Sequence, residues 1–136
     1  MNRAAILQRL NEFFAESAGP DLIAAWLFGS FARGEARARS DVDVAVLHRS
    51  TPDATFDTLP LRLEGEIERV LRRTTQVVAM NRAPADLRVR VLRDGVLLAD
   101  RDPPLRIRFE VQTRNEWFDL QPILREYRRL PMRPVE

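Results

Sequence analysis

Seven consecutive apolar residues, Leu22 to Phe28, stop abruptly at Gly29-Ser30. A run of that length bounded by turn residues reads as a buried, central strand. After ten intervening residues, Asp41-Val42-Asp43 opens a second run, in which Val42, Val44 and Val46 alternate with Asp41, Asp43 and Ala45. Alternation at period two marks a strand with one apolar face, and the other face carries carboxylates at its start. Residues 31–40 between the runs are small, charged and glycine-containing, which suits a short helix or loop.

Carboxylates at i and i+2 of a strand point to the same side, about 7 Å apart along the backbone. Like charges so placed repel unless a cation sits between them. Hard divalent cations such as Mg²⁺ prefer carboxylate oxygens and complete their shell with substrate phosphates. Gly29 lets the backbone approach a ligand closely. Ser30 adds a hydroxyl and an N–H at the head of the following turn, a favourable place for phosphate. An Asp-x-Asp or a Gly-Ser alone is commonplace. The joint pattern points to a nucleoside triphosphate held by Ser30 and by metal on Asp41 and Asp43.

The rest of the chain supplies the frame. Ile6, Leu7, Leu10, Phe13 and Phe14 form a helical stripe over residues 3–17, ended by Gly19-Pro20. Residues 50–57 read as a loop. Leu63, Ile67, Val70 and Leu71 mark a second helix, and residues 75–80 a third strand. Pro84 suits the first turn of a helix running to about Arg93. Asp94-Gly95 closes it, and residues 96–98 add a short extended piece. In the tail, Leu105, Ile107, Phe109 and Val111 alternate like a strand. Asp102-Pro103, however, is a good helix start, and Leu105, Phe109, Trp117, Leu120, Leu124 and Tyr127 share one helical face. A long helix is expected, kinked or interrupted near Pro122. The whole describes one α/β domain over residues 1–136, a small mixed sheet covered by helices.

Composition narrows the function classes. No run approaches the roughly 20 apolar residues that span a membrane. The first residues are charged at Arg3 and Arg9 and lack the apolar core of a secretory leader, so a cytoplasmic location is expected. With no cysteine there is no disulfide framework or thiolate metal site. All 22 Lys+Arg residues are arginine, which does not titrate near neutrality. The high isoelectric point therefore coexists with a net charge of only +2 and is weak ground for nucleic-acid binding. No aromatic–basic pattern supports such binding either.

Residues 29–46, GSFARGEARARSDVDVAV with its Gly-Ser, ten residues and Asp-x-Asp, closely resemble the nucleotidyltransferase signature. Ala32-Arg33-Gly34 and Ser40-Asp41 also match its minimal, MNT-type branch. Residues 76–100 look like the third strand and following helix of that branch, and Phe109 to Tyr127 like its closing helix. The resemblance implies a polymerase-beta-like fold, with Gly29 and Ser30 at the triphosphate of ATP and Asp41 and Asp43 as catalytic ligands of two Mg²⁺ ions. Arg33 is a further candidate for holding phosphate. Ser40 is expected to orient the turn before Asp41. Minimal members resemble antitoxins encoded beside a helical HEPN-domain ribonuclease toxin, which implies transfer of AMP from ATP to a tyrosine of that toxin.

The sequence departs from the pattern at one position. Active members carry a third carboxylate on the third strand, where this chain has Gln76. An amide brings no charge and accepts no proton at neutral pH. No Asp or Glu lies between Arg69 and Asp86. Nothing in the spacing of Glu64, Glu66 and Glu68 aims them at the site. The alternative expectation is therefore a weakened or inactive domain that neutralises its partner by contact, anchored through Trp117, Phe118 or Tyr127.

Overall fold

The computed structural model describes residues 2–51 and 59–129. Helix α1 spans Arg3–Glu16, with the Asn2 side-chain oxygen accepting a hydrogen bond from Ala5 N–H at 2.9 Å. Its stripe of Ile6, Leu10, Phe13 and Phe14 is buried. The helix stops where Ala18 and Gly19 both adopt positive φ, at 79° and 76°. The carbonyls freed there are not left bare. Arg101 donates to the carbonyls of Phe14 and Ser17, each at 2.7 Å, and to that of Gly19.

Strand β1 (Leu22–Phe28) leads through the single turn α2 (Ser30–Arg33) into β2 (Val42–His48). Then follow α3 (Leu59–Leu71), β3 (Thr75–Ala79), α4 (Ala85–Asp94), β4 (Val96–Asp100) and α5 (Pro103–Arg129). The sheet runs β3-β2-β1-β4. β1 pairs antiparallel with both neighbours, and β2 pairs parallel with β3, so the sheet is mixed as expected. Val42, Val44 and Val46 point to one face, where they pack with Ile6, Leu10 and Phe14 of α1 and Leu63 and Ile67 of α3. Ala45 and Leu47 point to the other, against Val91 of α4, with Leu105 and Phe109 of α5 packed beside them. Asp43 shares the parity of Ala45 and Leu47, so it projects on the α4 side of the sheet.

Several local expectations are sharpened. The extended piece after Gly95 is a full strand to Asp100 on the free edge of β1. Pro84 takes the N-cap position rather than the first turn, which starts at Ala85. Leu63, Ile67 and Leu71 follow one another at i, i+4 and i+8 and face the sheet, which leaves Val70 at the margin of the stripe and exposed. Asp102 does cap α5, its carboxylate accepting from Leu105 N–H at 3.3 Å, with Pro103 first in the helix. Of the kink or interruption expected near Pro122, the interruption is absent, because α5 continues to Arg129 with Pro122 inside it. Proline removes the N–H that would bond the Phe118 carbonyl. Phe118 is exposed, so that carbonyl can turn to water. The loop expected over residues 50–57 falls largely outside the described residues. No helix among the described residues is long and apolar enough to cross a membrane.

Asn81 clips the end of β2, accepting from His48 N–H at 3.0 Å and donating to its carbonyl at 2.7 Å. The His48 ring is buried and neither ring nitrogen has a hydrogen-bond partner among the described residues. Burial lowers its pKa from 6.5, with the charge of Asp21 opposing. Above 6.5 the ring is neutral in both folded and unfolded chains. Below it the unfolded chain takes up a proton that the folded chain resists, so stability falls as pH falls. We expect His48→Leu to flatten this component in denaturant unfolding compared between about pH 7.5 and 5.5. An identical pH slope in the variant would exclude His48 as its source.

Candidate functional site

The site forms where β1 ends. Phe28 stands opposite Asp43 in the antiparallel register, and Asp43 stands opposite Gln76 in the parallel one. The next residue, Gly29, turns the chain with φ 75° and ψ −154°, a conformation that favours glycine. A Cβ at this position would collide with Asp43 Oδ2. Gly29 thus serves twice, as the turn and as the space that admits the carboxylate. Ser30 opens α2, where Arg33 N–H bonds back to the Gly29 carbonyl at 3.1 Å and Gly34 closes the turn with φ 73°. Four residues make a weak dipole, so the turn acts chiefly by aiming the Ser30 N–H and hydroxyl.

The link from α2 to β2 is held from outside. Arg73, just before β3, donates to the carbonyls of Arg37 at 3.1 Å, Ala38 at 2.5 Å and Ser40 at 2.9 Å. Its guanidinium also lies 4.9 Å from the centre of the Phe31 ring. Ser40 Oγ accepts from Arg37 N–H at 2.7 Å, so Ser40 orients the turn before Asp41 as expected. Val42 N–H then bonds the Thr74 carbonyl at 2.9 Å, starting the parallel pairing. Arg73 was not singled out in the sequence, because nothing marks it among 22 basic residues.

A cleft of about 380 Å³ opens here, lined by Phe28, Gly29, Ser30, Arg33, Asp43, Gln76, Leu87, Arg90 and Asp94. It brings together every site residue expected from the sequence except Asp41, which is exposed at the strand's beginning. Asp41 still acts on the site: the Asp43 pKa is raised by burial first and by the Asp41 charge second, while Arg33 opposes. A bound cation would relieve both costs. Arg33 is itself exposed and paired with Glu35 at 3.0 Å, a contact worth little in water. Leu87, Arg90 and Asp94 come from α4 at helical spacing. Their apolar and charged types blend into an ordinary amphipathic pattern, which hid them.

Asp41 and Asp43 are the two carboxylates whose charges act on each other here, the chemistry a hard cation would use. Among the described residues no three His, Cys, Asp or Glu side chains come together as a metal site. The acids of α3 do not fill the gap. Glu64 accepts from Val77 N–H and Glu68 from Thr75 N–H, each at 3.1 Å, so both are committed to the outer edge of β3. Glu66 borders a groove with Phe13 and Ser17, on the α1 side. A second cleft of similar volume lies beyond Phe31, but its Arg3 and Arg73 are taken up by main-chain carbonyls.

The family model for Polymerase beta, Nucleotidyltransferase matches residues 8–104. Among solved structures, a toxin–antitoxin with AMP-PNP aligns at TM-score 0.72 and 24% identity, covering 93% of this chain and 95% of that one. An MNT antitoxin in complex with the tri-AMPylated HEPN toxin of Shewanella oneidensis aligns at TM-score 0.71 and 22% identity, covering 90% and 94%. The toxin–antitoxin MntA-HepT aligns at TM-score 0.70 and 21% identity, covering 91% and 94%. At these identities the likeness is one of fold. No curated protein matches in sequence.

Gly29 and Gly34 allow a controlled comparison. Both have positive φ, but a Cβ at Gly34 meets open space. We expect Gly34→Ala, in the left-handed helical region, to lose about 1–2 kcal/mol in denaturant unfolding, and Gly29→Ala, in a region almost reserved for glycine, to lose at least as much, about 1–3 kcal/mol. Only Gly29→Ala should also weaken Mn²⁺ binding, by displacing Asp43. Equal metal affinity in the two variants would rule out the proposed role of the missing Cβ.

Proposed function

The chain belongs to the polymerase beta nucleotidyltransferase family, and from that premise we propose that it is an MNT-type antitoxin that transfers AMP from ATP to a tyrosine hydroxyl of a HEPN-domain ribonuclease toxin in the cytoplasm. The observation that carries this reading is the contact of Gly29 with Asp43 at the mouth of a cleft that also holds Ser30. The toxin–antitoxin structures of the same fold, one with AMP-PNP and one with an AMPylated toxin, support the choice of nucleotide and acceptor.

The acceptor oxygen attacks the α-phosphorus in line as the bond to the bridging oxygen breaks. Pyrophosphate leaves, and the hydroxyl proton passes to solvent. Mg²⁺ on Asp41 and Asp43 supplies charge neutralisation of the phosphates when bound. Ser30 donates its N–H and hydroxyl to phosphate oxygens, and Gly29 lets the chain close on them. Arg33 gives up an exposed pair with Glu35 to face the phosphates. The Gln76 amide accepts no proton, so the step lacks a general base, a loss of typically about 10²–10⁴ in rate. Slow transfer suffices for a modification made once per target molecule.

Gln76 also favours a second reading, neutralisation by binding alone. The exposed aromatic residues Phe118 and Tyr127, with the half-buried Trp117, would then anchor the toxin. ATP labelled at the α-phosphate, with Mg²⁺ and the helical protein encoded beside this gene, separates the two. The transfer reading expects label on a toxin tyrosine and none with Asp43→Ala. A tight, inhibited complex without label overturns transfer and leaves binding.

A further inference from the structure

Helix α4 reaches the cleft with one face, Leu87, Arg90 and Asp94. Arg90 and Asp94 are one turn apart, yet they are not paired. Asp94 is held by Arg93, which donates from Nε at 3.0 Å and from Nη2 at 3.1 Å to its two oxygens. Arg90 is exposed and, beyond the charge attraction it exerts on Asp94, makes no hydrogen bond or salt bridge among the described residues. Its donors therefore stand free to meet a ligand in the cleft. Arg33 lines the same cleft from α2, where its charge acts on Asp43 and Asp94, and its one salt bridge among the described residues is the exposed pair with Glu35. On the β3 side stands the neutral Gln76, level with Asp43.

A second divalent cation about 3.5–4 Å from the first needs carboxylates to share it. Asp41 and Asp43, with a neutral amide beside them and both oxygens of Asp94 taken up by Arg93, do not offset two such ions. Guanidinium groups stay charged at any working pH and match phosphate oxygens in a planar fork. Resting on the reading that this cleft takes a nucleoside triphosphate, we propose that Arg90 is a phosphate-binding residue. It and Arg33 supply the positive charge that a second cation would bring, so that the bound nucleotide is held with a single divalent ion on Asp41 and Asp43.

The test is equilibrium binding of AMP-PNP to the full chain, with Mg²⁺ and with EDTA, and a count of protein-dependent Mn²⁺ by electron paramagnetic resonance. The wild type should bind AMP-PNP in EDTA within about tenfold of its Mg²⁺ affinity. Arg90→Gln should weaken EDTA binding by about tenfold or more, and Arg90→Lys by less. An unchanged unfolding midpoint in both variants shows that the exposed substitution leaves the fold intact. The wild-type complex should hold one Mn²⁺ and Gln76→Asp two. Two ions in the wild type, no binding without metal, or full EDTA affinity in Arg90→Gln each overturns the inference while leaving the cleft a nucleotide site. No binding under either condition overturns that reading too.

Discussion

The site depends on the antiparallel pairing of β1 with β2. It sets Phe28 across from Asp43, so the turn that follows Phe28 must pass over the carboxylate. Glycine makes that turn freely, whereas any Cβ in this positive-φ conformation would force the Asp43 carboxylate to move. The pairing is itself enforced by burial on both faces. Leu22, Leu27, Val44 and Val46 pack under α1 and α3, while Trp26, Ala45 and Leu47 pack under α4 and α5. A one-residue slip would turn each apolar set toward the opposite face and move Asp43 away from the turn.

The fold was largely legible because the apolar periods are strong and sit between clear stops. Leu22 to Phe28 could be only a buried strand, and Asp102-Pro103 decided the tail despite alternation at Leu105 to Val111. What escaped was the reach of long side chains between elements. Arg73 gathers the loop before Asp41 across 33 to 36 positions of sequence. Local patterning carries no trace of such a bond. Gly29, Ser30, Arg33, Asp43 and Gln76 do converge on one cleft, and the contribution of α4 to its wall was invisible because Leu87, Arg90 and Asp94 match a solvent-facing helix. That α5 runs on through Pro122 rather than stopping there has a different reason: proline's cost depends on whether the freed carbonyl can meet water, which is a property of the surroundings.

Arginine has an architectural use here beyond surface charge. Arg101 closes the end of α1 and Arg73 the approach to β2, each by satisfying several main-chain carbonyls with one planar group. A lysine ammonium is a compact point charge and lacks the rigid fork that meets such an array. The irregular stretches of the chain are thereby fixed to regular elements distant in sequence.

The Glu64 and Glu68 contacts to β3 have a consequence for how this fold can change. An outer strand normally offers its amides to any passing chain, and here helix carboxylates cover them. That cover makes the two nearest acids unavailable for redeployment, since turning either one inward would uncover a strand edge to self-association. Drift at position 76 therefore cannot be compensated by its closest neighbours on α3. On the β3 side a further carboxylate would have to stand at position 76 itself, and the protection of the sheet's border limits which arrangements of acids this cleft can adopt.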